Sequence, residues 1–103
     1  MVLFKRPLLF LVLQGRKTQT RRVHKHQLAL GRVYGIRSMW FEKSKGYIRI
    51  TGKFYQKLGD ISQEDVRKEG FQSLEDFKRA WESIHGVWQP EQAVIVYEFE
   101  LVG

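Results

Sequence analysis

The densest group of chemically capable side chains lies between residues 15 and 22, in the stretch Gly-Arg-Lys-Thr-Gln-Thr-Arg-Arg. If the second half of this stretch is a strand, Thr18, Thr20 and Arg22 share one face, because successive strand side chains point to opposite sides. Lys17 then approaches Thr20 at the start of the strand. Desolvation and neighbouring cations lower the pKa of a lysine, which allows a neutral Lys17 to take the proton of the Thr20 hydroxyl. The alternative is that these cations and hydroxyls hold phosphates without any chemistry.

Positive charge is concentrated in the first half of the chain. Residues 1–57 contain fourteen Lys and Arg against one acid, Glu42, whereas residues 58–103 contain four against ten acids. The balances of +13 and −6 make up the net charge of +7. Such a block is typical of a surface for polyanions such as nucleic acid or nucleotide phosphates. The alternative is that the two halves of the chain pack together and neutralise each other's charges. Positive charge would still remain in excess.

Length and composition limit the remaining possibilities. A chain of 103 residues with 43% hydrophobic and 28% charged residues predicts one globular domain, residues 1–103. The absence of cysteine excludes a disulfide scaffold, a cysteine nucleophile and a thiolate metal site. The longest apolar run, Leu8–Leu13, is far too short to cross a bilayer. We therefore expect a soluble, cytoplasmic protein without a membrane partner.

Hydrophobic periodicity indicates a mixture of strands and helices. Pro7 suits the first turn of a short apolar helix that Gly15 ends. Ser62 and Ser73 each precede an acid by three residues and are predicted N-caps of two further helices. We expect strands at residues 1–4, 18–23, 32–41, 47–55 and 93–102, with the third and fourth joined as a hairpin by a polar turn.

The second strand of the hairpin carries a surface of basic and aromatic side chains. Strict alternation places Ile48, Ile50, Gly52 and Phe54 on one face, and places on the other Tyr47, Arg49, Thr51, Lys53 and Tyr55. Such a face suits base stacking and phosphate contacts, or is simply a solvated barrel face.

The helix after Ser73 has an apolar stripe at helical spacing, formed by Leu74, Phe77, Trp81 and Ile84. We interpret these residues as core rather than as a ligand site. His85 lies at the end of the helix, where the helix dipole favours its charged form. His24 and His26 would share a face on a strand, but without a third ligand we expect neither a metal nor a cofactor.

Several motifs together resemble the ASCH domain family, which is related to PUA domains. Its hallmark Gly-x-Lys-x-x-x-x-Arg is matched by Gly15, Lys17 and Arg22. The resemblance continues in the same order through Lys-Glu-Gly-Phe at residues 68–71 and the final strand at residues 94–99. It implies an α+β fold, namely a PUA-like mixed β pseudo-barrel of about six strands with two or three flanking helices and a cleft.

The resemblance also implies an RNA- or nucleotide-related function. Some small ASCH proteins are amidohydrolases that remove the acetyl group of 4-acetylcytidine. The matching positions here imply that Lys17 accepts a proton, Thr20 attacks the acyl carbon and Glu69 protonates the leaving amine. The family commonly has Gly-Asp before its next strand, whereas this chain has Gly31-Arg32. A cation near the cleft mouth would favour a more anionic substrate.

Three functional hypotheses follow from these observations. The first is a module that binds RNA or a modified nucleotide in a basic cleft, with bases stacked on aromatic side chains that include Trp40. Its predicted contacts are Arg16, Arg21, Arg22, Arg32, Arg49, Lys53, Tyr47 and Tyr55. The second is the 4-acetylcytidine amidohydrolase, with Lys17, Thr20 and Glu69 as the catalytic residues. The third is a metal-independent ribonuclease in which the cations stabilise a phosphorane-like charge.

Overall fold

A computed structural model of the chain describes residues 1–23 and 27–103. A curled five-stranded sheet is combined with three α-helices, which confirms the predicted α+β class. The strands are β1 (Val2–Leu3), β2 (Gln19–Arg22), β3 (Val33–Arg37), β4 (Gly46–Lys57) and β5 (Ala93–Val102). The helices are α1 (Arg6–Leu13), α2 (Gln63–Lys68) and α3 (Leu74–His85), with a short 3-10 helix at Leu58–Asp60. Five strands are described where about six were predicted, and His24 and His26 lie outside the described residues.

The sheet has the order β1-β3-β4-β5-β2, and only the β1–β3 pairing is parallel. Strand β5 lies between β4 and β2 and is buried on both faces along its first half, as its apolar sequence predicts. One face packs against a core that includes Leu9 and Val12 of α1. The other packs Val94 and Val96 against α2 and α3. Strand β2, which carries Thr20, Arg21 and Arg22 of the predicted site, is therefore an edge strand of the described sheet, next to its best-buried strand.

A β-bulge corrects the predicted faces of β4. The register with β5 shifts between Ile50 and Gly52, so that one extra residue is inserted in β4. Directly paired residues of antiparallel strands point to the same face. Tyr47 and Arg49 consequently lie on one face of the sheet, whereas Lys53 and Tyr55 lie on the other. A bulge breaks the period-2 pattern without leaving a sequence signal as clear as a turn.

The hairpin connection is longer than predicted. Strand β3 ends at Arg37 rather than at residue 41, and residues 38–45 form an irregular loop before β4 begins at Gly46. The aromatic residues Trp40 and Phe41, which indicated a strand because of their β propensity, are exposed on this loop. The predicted strand at residues 1–4 is also shorter and pairs only as Val2–Leu3.

The predicted helix ends are confirmed by their capping contacts. The backbone N–H groups of Asp65 and Asp76 donate to the hydroxyls of Ser62 and Ser73, and Gly86 ends α3 in the left-handed conformation. Of the predicted α3 stripe, Ile84 is an exception because it is 51% exposed. None of the helices in the described ranges is long and apolar enough to span a bilayer.

We predict that Ser73→Ala lowers the free energy of unfolding by about 1 kcal/mol, because it removes the oxygen that caps the first turn of α3. Ser83→Ala is the matched control, because its exposed hydroxyl donates only to the Ala80 carbonyl within α3. Urea denaturation of both variants measures the difference. Equal stability of the two variants would contradict the assigned cap.

Candidate active site

A cavity of about 360 Å³ opens at the β2 edge of the sheet. Its walls come from β2, from the chain around β1 and α1, and from α3, and they are largely apolar. Its polar lining is concentrated in a few buried side chains from the two halves of the chain, including Lys17, Thr20, Arg21 and Glu69. The structure therefore brings the three predicted catalytic residues to one cavity. A volume of this size lies within the range of about 300–1,000 Å³ that is usual for small-molecule sites.

Lys17 is buried and donates three hydrogen bonds. Its Nζ lies 2.9 Å from Glu69 Oε1, 2.7 Å from the Glu69 carbonyl oxygen and 3.0 Å from the Gln19 carbonyl oxygen. Burial lowers the pKa of Lys17 from its ordinary 10.5, and the carboxylate of Glu69 partly opposes this effect. The ammonium is thus held in a fixed position in which the neutral form is more accessible than in water.

Glu69 accepts hydrogen bonds from two different cations. While Lys17 donates to Oε1, Arg21 NH1 donates to Oε2 at 2.9 Å. The buried Arg21 guanidinium also donates to the side-chain oxygen of Gln19 and, at 2.8 Å, to that of Gln56. Asp65 lies 3.4 Å from Arg21 NH2. Every polar atom of the carboxylate is therefore occupied, which is the condition under which buried charges are tolerated.

Two glycines allow the backbone to bring Lys17 and Glu69 together. Gly15 follows α1 with φ of 75°, and the N–H groups of Arg16 and Lys17 then donate to the Leu11 carbonyl. Gly70 follows Glu69 with φ of 101°, a conformation that L-residues rarely adopt. A Cβ atom at Gly70 would also lie 3.0 Å from Leu11 Cδ1. Glycine at both positions therefore lets the chain after α1 approach the end of α2 without backbone strain.

Thr20 is hydrogen-bonded to Arg22 rather than to Lys17. Arg22 Nε donates to Thr20 Oγ1 at 3.1 Å, as expected for two residues on one face of a strand. Arg22 is itself fixed by donating to the Leu3 carbonyl at 2.9 Å and by lying 4.9 Å from the centroid of the Phe4 ring. Since Arg22 provides the hydrogen in this contact, the hydroxyl hydrogen of Thr20 remains available to another acceptor.

The opposite wall consists of aromatic side chains of α3 that also belong to the core. Phe77 and Trp81 are buried in the second core cluster and line the cavity. The His85 ring stacks on Trp81 with centroids 4.0 Å apart. Burial and the charge of Arg22 lower the pKa of His85 from 6.5. Both effects act against the expected preference of the helix end for charged His85.

The residues predicted to contact nucleic acid do not form one surface. Arg21 and Arg22 line the cavity, whereas Arg16 lines a separate depression with Arg67. Exposed Arg32 lies over the Tyr34 ring and is not part of the cavity wall, which corrects its expected place at the cleft mouth. The others lie along β4, where Arg49 pairs with Glu100, Lys53 lies over the Tyr97 ring, Tyr55 accepts a hydrogen bond from Gln27, and Tyr47 is half exposed.

Gln19 is a site residue that the sequence reasoning missed. Its buried side chain accepts from Arg21, and its carbonyl accepts from Lys17. The spacing of Gln19 and Arg21 in a predicted strand was an available signal, because residues two apart share a face. Gln56 and Asp65, the other partners of Arg21, had no comparable signal, since they come from β4 and α2.

Solved structures with the same fold support the resemblance found in the sequence. The ASCH domain from Lactobacillus crispatus JV V101 gives a TM-score of 0.80 at 16% identity, over 93% of this chain and 70% of that one. A protein from Enterococcus faecalis V583 gives 0.71 at 20%, over 95% and 68%. ASCH from Zymomonas mobilis gives 0.68 at 13%, over 97% and 67%. The chain therefore has an ASCH-like fold.

At these identities the likeness to solved structures shows the fold and not the activity. No protein-family model matches the chain, and no match was found among curated proteins.

We predict that Glu69→Gln lowers the free energy of unfolding by about 3–5 kcal/mol, because it leaves Lys17 and Arg21 as buried cations without their shared anion. Lys17→Met is expected to be less destabilising, because Glu69 keeps Arg21 as its partner. Urea denaturation of the two variants measures both values.

Glu91→Gln is the control for loss of an ion pair at the surface. Its partner Lys57 and Glu91 itself are mostly exposed, so we expect a change below about 1 kcal/mol. A Glu69→Gln variant no less stable than this control would show that the buried pair does not hold the site together.

Proposed function

We propose that the cavity binds a modified nucleobase and that the protein hydrolyses the acetyl amide of 4-acetylcytidine. The observation that carries this proposal is the buried contact of 2.9 Å between Lys17 Nζ and Glu69 Oε1 at the wall of a cavity that Thr20 also lines. A base, a hydroxyl nucleophile and an acid beside one cavity are the components of covalent acyl transfer. The resemblance to small ASCH amidohydrolases assigns the same three residues.

The walls of the cavity suit a flat ring with a polar edge. Phe71, Phe77 and Trp81 offer aromatic and apolar surface, and the charged groups lie together at the end formed by Lys17 and Glu69. A nucleobase can bury its faces against such walls while its exocyclic substituent reaches the charged end. This arrangement favours a base over a phosphate as the bound group, because a phosphate would have to be stripped of water among apolar walls.

Acyl transfer begins with Thr20. Its oxygen attacks the acetyl carbon, and its proton moves to neutral Lys17 as the new C–O bond forms. Arg22 Nε, which donates to Thr20 Oγ1, stabilises negative charge on that oxygen. Lys17 and Thr20 have no direct hydrogen bond among the described contacts, and such contacts often tighten only when substrate is bound.

The proton required by the leaving amine comes from the same ion pair. Transfer of one proton along the Lys17–Glu69 hydrogen bond converts the charged pair into neutral Lys17 and protonated Glu69. Glu69 then protonates the amine nitrogen as the C–N bond breaks, while Lys17 keeps the proton from Thr20. The pair has then regained its original charges, ammonium on Lys17 and carboxylate on Glu69. Water hydrolyses the resulting acetyl ester, which returns the hydroxyl hydrogen to Thr20 and releases acetic acid, and this acid gives its proton to the solvent.

Arg21 acts in this scheme as a positioning residue. Its contact with Glu69 Oε2 orients the other carboxylate oxygen towards Lys17, and its own position is fixed by Gln19 and Gln56. The predicted role of Arg21 as an RNA phosphate contact is less compatible with this burial, because its guanidinium would have to leave these partners.

We predict that Lys17→Met and Thr20→Val each reduce hydrolysis of 4-acetylcytidine by at least about 100-fold, because general-base and nucleophilic contributions are of this size. Thr20→Ser should retain part of the activity, since it keeps the hydroxyl. The rate is measured by chromatography, which quantifies the cytidine that is released. Lys57→Met is the control, because Lys57 is an exposed lysine with a partner outside the cavity.

The same assay separates the other two hypotheses. Wild-type protein that leaves the acetylated nucleoside intact but binds RNA would favour the binding module. RNA cleavage in the presence of a chelator, lost in Lys17→Met, would favour the ribonuclease. Equal activity of Lys17→Met and Lys57→Met would contradict the amidohydrolase assignment.

We further predict that the hydrolysis rate falls at high pH, with a midpoint below the ordinary lysine value of 10.5. The active form needs one proton shared between Lys17 and Glu69, and this last proton is lost at high pH. Burial lowers the pKa of Lys17, so the loss occurs at a lower pH than for a free lysine. A rate that keeps rising beyond pH 10.5 would exclude this proton-sharing mechanism.

A further inference from the structure

The second step of the proposed reaction, hydrolysis of the acetyl ester on Thr20, calls for a base that takes a proton from the attacking water. After the first step, Lys17 is an ammonium that donates to three oxygen atoms. The carboxylate of Glu69 accepts from Lys17 on one oxygen and from Arg21 on the other. Neither group is then free to accept a proton, so the base has to come from another side chain of the cavity wall.

His85 is the side chain with a free basic atom at this cavity. Among the described residues of the cavity wall, the other titratable groups are the cations Lys5, Arg21 and Arg22, whose charged forms have no lone pair to offer. His85 is the last residue of α3, and its side chain is exposed to solvent at the edge of the cavity. An imidazole in this position has contact both with the cavity and with bulk water.

The imidazole ring is held in a defined orientation. It stacks on the indole of Trp81, with ring centroids 4.0 Å apart and an interplanar angle of 29°. Trp81 is buried in the core and packs against Phe77 at 6.2 Å between centroids. A catalytic group that is already oriented loses little freedom when the reacting atoms arrive. The stack therefore places the ring as a fixed part of the cavity wall.

The position of His85 relates it to the acylated residue. His85 belongs to the wall formed by α3 and Thr20 to the wall formed by β2. Arg22, which donates to Thr20 Oγ1 at 3.1 Å, is also the charged group that acts on His85. Cytidine leaves before the ester is hydrolysed, and the vacated cavity of about 360 Å³ has room for several water molecules. Water between the two walls connects the imidazole with the ester.

The ring is also in the correct protonation state for this role. Burial and the charge of Arg22 lower the pKa of His85 below its ordinary 6.5, so the neutral imidazole predominates at pH 7. A neutral imidazole accepts a proton readily and releases it readily, which is why histidine is the most frequent general base in enzymes.

We propose that His85 is the general base for hydrolysis of the acetyl ester on Thr20. A ring nitrogen takes a proton from water while the water oxygen forms a bond to the acetyl carbon. The bond between this carbon and Thr20 Oγ1 then breaks, and the imidazolium returns the proton to the Thr20 oxygen. Acetic acid leaves, and His85 is neutral again. The assignment rests on the proposed function and adds to it a residue for the second step.

The test compares the wild type with His85→Phe, which keeps an aromatic ring over Trp81 but has no basic nitrogen. Cytidine release from 4-acetylcytidine is followed by rapid quenching and chromatography. The variant should release the first equivalent of cytidine at the rate of the wild type, and its later turnovers should be slower by at least about 100-fold. Mass spectrometry of the intact protein should then show acetylated enzyme, with the acetyl group on Thr20 after digestion.

Two controls separate a base from a residue that only maintains the wall. Ser83→Ala should behave as the wild type, because the exposed Ser83 hydroxyl donates to the Ala80 carbonyl within α3 and does not line the cavity. In His85→Ala the space of the ring is open, and added imidazole should restore turnover and remove the acetyl group from the enzyme. The same addition should leave the wild-type rate unchanged.

The outcomes distinguish this assignment from the proposed function. Equal turnover of His85→Phe and Ser83→Ala, without acetylated enzyme, would overturn the role of His85 and leave the amidohydrolase intact. An equal loss in the first and the later turnovers would also overturn it, because His85 would then act before the ester forms. If the wild type releases no cytidine at all, the proposed function fails, and the assignment of the base fails with it.

Discussion

The ion pair between Lys17 and Glu69 is the interaction on which the site depends. Each charge is nearly removed from water, and a buried charge that is left without any partner is strongly destabilising. Arg21 adds a second buried cation to the same carboxylate, so a single anion holds the end of α2 against β2 and the chain after α1. Arg22 has no carboxylate partner among the described residues and leaves positive charge beside Thr20. The cavity is therefore electrostatically prepared for the negative charge that develops during acyl transfer.

This pair also connects the opposite charges of the two chain halves. Lys17 and Arg21 come from the basic half, whereas Glu69 and Asp65 come from the acidic half. Charge neutralisation between the basic and the acidic half of the chain, which composition alone left open, therefore occurs at the site. It accounts for only a small part of the positive excess. The remaining cations include those around the loop at residues 38–45, so the charge asymmetry has both a buried, structural part and an exposed part that can meet a polyanion.

The parts of the fold that depend on local sequence were predictable. Capping serines set the starts of α2 and α3, and alternating apolar residues set the bounds of β5, because each signal lies within a few residues. The bulge at Ile50 and Gly52 and the loop after Arg37 were missed, since pairing with β5 and hydrogen bonds to Glu42 decide them. For the site, a short motif and a family resemblance brought Lys17, Thr20 and Glu69 together, whereas the contacts of Arg21 required the tertiary structure.

The cavity wall shows why the binding surface and the core cannot be separated in a chain of this length. Phe77 and Trp81 pack against Val94 and Val96 on one side and face the cavity on the other. A small domain has few large side chains to spare, and a cavity weakens packing around it because its lining atoms lose contacts. Polar bonding at the opposite wall supplies part of the missing rigidity, since Lys17, Arg21 and Arg22 are each fixed by at least two acceptors. The interpretation of the α3 stripe as core rather than ligand site was therefore incomplete: the same aromatic rings serve both purposes, and periodicity cannot distinguish them.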